Sequence, residues 1–256
     1  MRISTQLAIT LSCLLGALMS AAPGTAAAET VRNIVIVHGA ITDGSSWRGV
    51  YAILTKDGYR VTVVQEPLTG LSDDVAATKR VLEQQEGPVI LVGHSYGGTI
   101  ITIAGADPKV RALVYVAALQ PDIGETTGRL AASIPGSAPS GVVKPTADGY
   151  LFIDPDRFPA EVAGDVPLAD ARFMAHSQVP VAAAAFDAPV TVAAWHDKPS
   201  YGIIATADRE LNPKLARWMY QRSGTKAVEI NGSHLIYMSH AKAVARIIEV
   251  AAAAIK

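Results

Sequence analysis

The stretch Pro88-Val89-Ile90-Leu91-Val92-Gly93-His94-Ser95-Tyr96-Gly97-Gly98-Thr99-Ile100-Ile101 limits what this chain can fold into more than any other. Val89 to Val92 is an unbroken apolar run, the mark of a strand buried on both faces. Thr99 to Ala104 continues as an apolar helix. Between them stands G-x-S-x-G, with Gly93, Ser95 and Gly97 at the fixed positions. The chain must therefore bend from strand to helix within a few residues, where a side chain at Gly93 or Gly97 would collide with its neighbours. The bend lifts the Ser95 hydroxyl above the sheet edge. It also aims the free N–H groups of the new helix at the same point, where negative charge would be stabilised.

The rest of the chain supplies a sheet for this turn to sit on. Asn33 to Val37, Arg60 to Gln65, Ala112 to Ala117, Tyr201 to Thr206 and Lys226 to Ile230 read as further strands. Helical segments around Asp73–Gln85, Lys214–Arg222 and Ala241–Ala254 fall between or after them. Such alternation predicts an α/β fold: a mostly parallel six-stranded sheet with helices on both faces. At 256 residues the chain is long enough for one such domain, assigned to residues 29–256. Residues 121–199 break the rhythm, being rich in Pro and Gly with short, uneven helical pieces. A segment of that length carries structure of its own, and it is expected to be an inserted helical lid over Ser95. Phe152, Phe158, Phe173, Met174, Phe186 and Trp195 would give it an apolar roof or form its own small core.

Residues 1–28 read as a secretory signal: Arg2, then the apolar stretch Leu7–Met19, then Ala26-Ala27-Ala28 as a small-residue cleavage site. The apolar stretch is short for a membrane span, so cleavage without a stable membrane anchor is expected, giving a periplasmic or secreted protein. The only cysteine, Cys13, lies in this leader, which excludes thiol catalysis and disulfides from the mature chain. A formal net charge of −1 gives no electrostatic reason to expect nucleic acid as a partner.

Strand, serine turn and helix in this setting resemble the nucleophile elbow of the α/β-hydrolase superfamily. A serine hydroxyl is a weak nucleophile until a base takes its proton and a third group orients the base. The resemblance implies that the acid and then the histidine follow the serine in the chain. Among His176, His196, His234 and His240, the candidate is His234, in the turn Asn231-Gly232-Ser233-His234 beyond the last strand. Asp208, just past the strand Tyr201 to Thr206, is the candidate acid. Asp122 is the runner-up, and Glu210 lies two residues further out. The oxyanion hole would use the backbone N–H groups of Tyr96, after the nucleophile, and Ala40, in the loop His38-Gly39-Ala40. His38 and His94 read as structural residues. Trp47 is assigned a place in the substrate pocket, although packing would equally explain it.

More narrowly, the chain resembles the branch that holds plant methylesterases, hydroxynitrile lyases and bacterial pyrethroid-hydrolase-like esterases. The resemblance is carried by His38-Gly39-Ala40 with Ser46-Trp47, the Gly93–Gly98 elbow, Ala117-Ala118-Leu119-Gln120-Pro121-Asp122, Ala205–Arg209 with Trp218, and Ser233-His234. It implies a serine hydrolase for small-molecule carboxylic esters, with no metal, nucleotide or redox cofactor, and it favours Asp208 over Asp122. Lyases of this branch carry Thr where this chain has Gly39, and Lys where it has Leu235. A C–C lyase and a non-catalytic small-molecule binder on the same fold are the alternatives.

Overall fold

The computed structural model describes residues 31–136 and 141–255. The leader assigned to residues 1–28, with Cys13, lies outside the described residues. Six strands form one sheet: β1 (Asn33–Val37), β2 (Arg60–Val63), β3 (Val89–Ser95), β4 (Val110–Ala118), β8 (Ser200–Ala205) and β9 (Lys226–Ile230). Their order is β2-β1-β3-β4-β8-β9, and every neighbouring pair is parallel.

Alternation along the strands sorts the core into two layers. Ile34, Ile36, Ile90, Val92 and Val114 point to one face, where helices Arg48–Lys56 and Ala241–Ala253 cover them. Val35, Val37, Leu91, Leu113 and Tyr115 point to the other, under helices Leu71–Glu83, Gly97–Ala104 and Pro213–Ser223. A period of two with apolar residues on both sides is what a sheet buried on both faces demands. The chain order reverses between β1 and β3, which opens a crevice at their carboxyl ends.

The segment between β4 and β8 is not purely helical, which corrects the expectation of a helical lid. It contains a small antiparallel sheet of β5 (Val143–Pro145), β6 (Tyr150–Ile153) and β7 (Val181–Ala182). Helices Thr127–Ser133, Phe158–Glu161, Leu168–His176 and Ala184–Asp187 surround it. Among the described residues, no helix is long and apolar enough to cross a membrane.

Candidate active site

The serine turn has the strain its sequence demands. Ser95 lies at φ 52°, in the left-handed region that non-glycine residues rarely adopt. A Cβ built on Gly93 would sit 2.6 Å from the Gly97 carbonyl oxygen, and one on Gly97 would sit 2.5 Å from the His38 carbonyl oxygen. Both glycines are therefore required by close backbone approach. The pairing of β3 with β4 slips between His94 and Ser95, where the chain leaves the sheet.

Three loops at the carboxyl ends of β3, β8 and β9 converge. Ser95 Oγ lies 2.9 Å from His234 Nε2, and His234 Nδ1 lies 2.7 Å from Asp208 Oδ2. Asp208 Oδ1 accepts the N–H groups of Glu210 and Leu211, each at 2.9 Å. With its other oxygen so engaged, Oδ2 accepts from His234 Nδ1–H, leaving the Nε2 lone pair for the Ser95 hydroxyl proton. Burial alone would lower the His234 pKa. The charge and hydrogen bond of Asp208, with the charge of Glu210, outweigh it, and the net direction is upward from the ordinary value of 6.5. Backbone bonds from Ala207 N–H to the Gly232 carbonyl and from Thr206 N–H to the Ile230 carbonyl tie the acid and histidine loops together.

Asp122 stands apart from this group. Its Oδ1 lies 2.8 Å from Nε2 of the exposed His196. His240 pairs with Ser239 and Asp165 on the far side of the histidine loop.

The converging residues open onto a cavity of about 330 Å³. Ala40 and Tyr96 line it together with Ser95 and His234. Among the described residues, neither the Ala40 nor the Tyr96 N–H is taken up in a turn or loop bond. Of the proposed roof, Phe152 and Phe186 line the cavity. Phe158 and Met174 belong to the main core, Trp195 is buried with its Nε1–H on the Pro121 carbonyl, and Phe173 faces solvent.

Trp47 corrects the pocket assignment. It is fully buried, stacked on Tyr237 at 4.2 Å, and forms no part of the cavity wall.

Both structural histidines have definite tautomers. His38 Nε2 accepts the Glu66 N–H at 2.9 Å, so Nδ1–H donates to the Gly39 carbonyl at 2.8 Å. Burial keeps this ring neutral, against the opposing pull of the Gly39 bond and Asp43. His94 does more than pack: its Nε2–H donates to the His234 carbonyl at 2.9 Å and so holds the loop that carries the histidine. Burial first, then the neighbouring His234, drives its pKa well below the ordinary value. A polar ring in a wholly buried turn needs a partner, and that is the signal in the sequence by which His94 could have been found.

Glu210, weighed from sequence only as a candidate acid, proves to be part of the cavity wall. Tyr96 turns its hydroxyl away and donates to Asp74 Oδ2 at 2.8 Å. Among the described residues, no cluster of His, Cys, Asp and Glu is arranged to hold a metal ion.

A carbendazim hydrolyzing esterase of Nocardioides sp. (strain SG-4G) is 33% identical over 184 residues, which span 63% of this chain and 74% of the relative. A pyrethroid hydrolase of Sphingobium wenxiniae is 32% identical over 105 residues, 35% of this chain and 37% of the relative. A solved structure of a pyrethroid hydrolase superposes with a TM-score of 0.76 at 24% identity, covering 88% of this chain and 99% of that one. The model of the alpha/beta hydrolase family matches residues 34–247, from β1 into the last helix, and the chain belongs to that family.

Proposed function

We propose that this protein is a serine hydrolase of carboxylic esters that works through an acyl-enzyme. The observation that carries the reading is the continuous relay from Ser95 Oγ to His234 to Asp208, 2.9 Å and 2.7 Å long, at the wall of an apolar cavity. Ser95 Oγ attacks the ester carbonyl carbon while His234 Nε2 accepts the hydroxyl proton. Asp208 holds the imidazole in the required tautomer and offsets the positive charge that forms. The Ala40 and Tyr96 N–H groups receive the developing oxyanion. His234 returns the proton to the departing alcohol, then takes one from the water that attacks the acyl carbon; the bond from that carbon to Ser95 Oγ breaks, His234 gives the proton to Oγ, and the acid leaves.

The lyase alternative finds little support. A Cβ on Gly39 would come 2.7 Å from His94 Nδ1 and 2.9 Å from Ser95 Cβ, so a threonine at this position needs the elbow to move. Leu235 is fully buried and brings no positive charge beside His234. The leader-like segment supports export to the periplasm or medium. A panel of p-nitrophenyl esters of rising acyl length tests the activity. Turnover by the wild type, reduced to background in Ser95→Ala, is expected. Equal turnover by both proteins would refute the assigned nucleophile.

A further inference from the structure

Glu210 sits two residues beyond Asp208, in the loop between β8 and helix Pro213–Ser223, and contributes to the catalytic cavity. Most of that wall is apolar, with Leu119, Leu151, Phe152, Val181, Phe186 and Leu211 prominent. The other polar side chains there already have partners. Ser95 and His234 bond each other, Tyr96 bonds Asp74, and Thr127 bonds Thr99. Glu210 is different: among the described residues no hydrogen bond reaches its carboxylate, of which only Oε1 is fully buried. The adjacent cation offers no relief, because Arg209 Nε donates to Glu161 Oε2 at 2.6 Å. Burial raises the Glu210 pKa, with Asp208 and Glu161 adding to the effect and His234 and Arg209 opposing it.

An unpaired carboxyl group in an apolar wall costs stability until a donor reaches it. A site built this way rejects ligands that lack the donor. We propose that Glu210 is a specificity-determining residue that accepts a hydrogen bond from an N–H group of the substrate. The preferred substrates are then esters bearing an amide or similar N–H, rather than hydrocarbon esters of equal size. This inference rests on the ester-hydrolase reading above.

Two matched pairs test it. On the acyl side, the p-nitrophenyl ester of N-acetyl-β-alanine is compared with that of 5-oxohexanoic acid, in which CH2 replaces N–H. On the alcohol side, O-acetyl-N-acetylethanolamine is compared with 5-acetoxy-2-pentanone. In at least one pair, wild-type kcat/KM should favour the N–H member by ~10-fold or more. Glu210→Leu should bring that ratio to within about 2-fold of one, while Glu210→Gln, which keeps an acceptor oxygen, should retain most of it. Thermal unfolding of both variants establishes that they are folded. No preference in either pair would overturn the proposal. So would a preference that survives Glu210→Leu, or variants that slow both members alike, since Glu210 would then act through His234. If no ester is turned over, the hydrolase reading fails. Ligand-observed NMR of the same pairs with Ser95→Ala then decides Glu210 separately: preferential binding of the N–H members upholds it, and equal binding overturns it.

Discussion

Ser95 is held in a backbone conformation that costs about 1–3 kcal/mol for a residue with a side chain, and the packing of Gly93 and Gly97 keeps it there. Its partner sets the pH dependence. His234 serves as a base only when neutral, and its pKa is raised above 6.5. Activity is therefore lost as pH falls through that raised value, and the acid limb of a kcat/KM profile taken from pH 5 to 9 should have its midpoint above 6.5. Asp208→Asn should lower kcat by ~10⁴-fold, because the imidazole loses its fixed tautomer; steady-state kinetics will check this. His94 acts through the His234 carbonyl and is a positioning residue. His94→Phe should lower kcat by at least ~10-fold with little change in KM. His94→Gln, which can still donate, should recover part of the loss. The triad candidates were legible in the sequence because each follows a recognisable strand. For Trp47 the sequence leaves pocket and packing equally open, because its partner, Tyr237, is distant in the chain and no local pattern reveals that stacking.

The strands show how a sheet organises a site. The four functional loops all follow strands of the parallel sheet, which fixes their direction and leaves only their lengths to the local sequence. Asn33–Val37 and Lys226–Ile230 begin and end where the apolar pattern places them, since alternation and turn residues define them locally. The insertion was less legible. β5 and β7 are three and two residues long, and β6 meets β7 across an intervening pair of helices. Pairing between such distant short segments leaves no periodic trace. The insertion also grips the catalytic loops. Glu161 binds Arg209 beside the acid, Asp165 accepts from Ser233 Oγ beside the histidine, and the Val162 carbonyl accepts the Leu235 N–H. Glu161→Gln should therefore lower kcat by roughly 10-fold while leaving the far-ultraviolet circular dichroism unchanged. Unchanged kinetics would show that this grip has no catalytic consequence.

Over the whole molecule, two apolar layers hold the sheet, and the buried acid Glu66 adds a pH-dependent contribution to stability. Glu66 is buried after β2, with Thr78 Oγ1 donating to its Oε1 at 2.9 Å and, among the described residues, no partner for its Oε2. Burial dominates and pushes its pKa from 4.5 up to about 8. The folded state thus keeps a proton that the unfolded chain gives up. The stability that this proton supplies is complete below pH 4.5 and is lost as pH rises toward 8, a change on the order of a few kcal/mol. Glu66→Gln should flatten this slope and raise the unfolding midpoint at pH 8 by about 5 °C or more over the wild type. Differential scanning calorimetry from pH 5 to 8 will check it; parallel wild-type and variant curves would contradict it. The hydrolytic chemistry itself depends on one bond between an acyl or phosphonyl group and one oxygen. The most direct measurement treats wild type and Ser95→Ala with a fluorophosphonate and locates the adduct by peptide mass spectrometry. One adduct on Ser95, absent from the variant and formed more slowly at acid pH, is the expected result. An adduct elsewhere, or none on a folded wild-type protein, would contradict it.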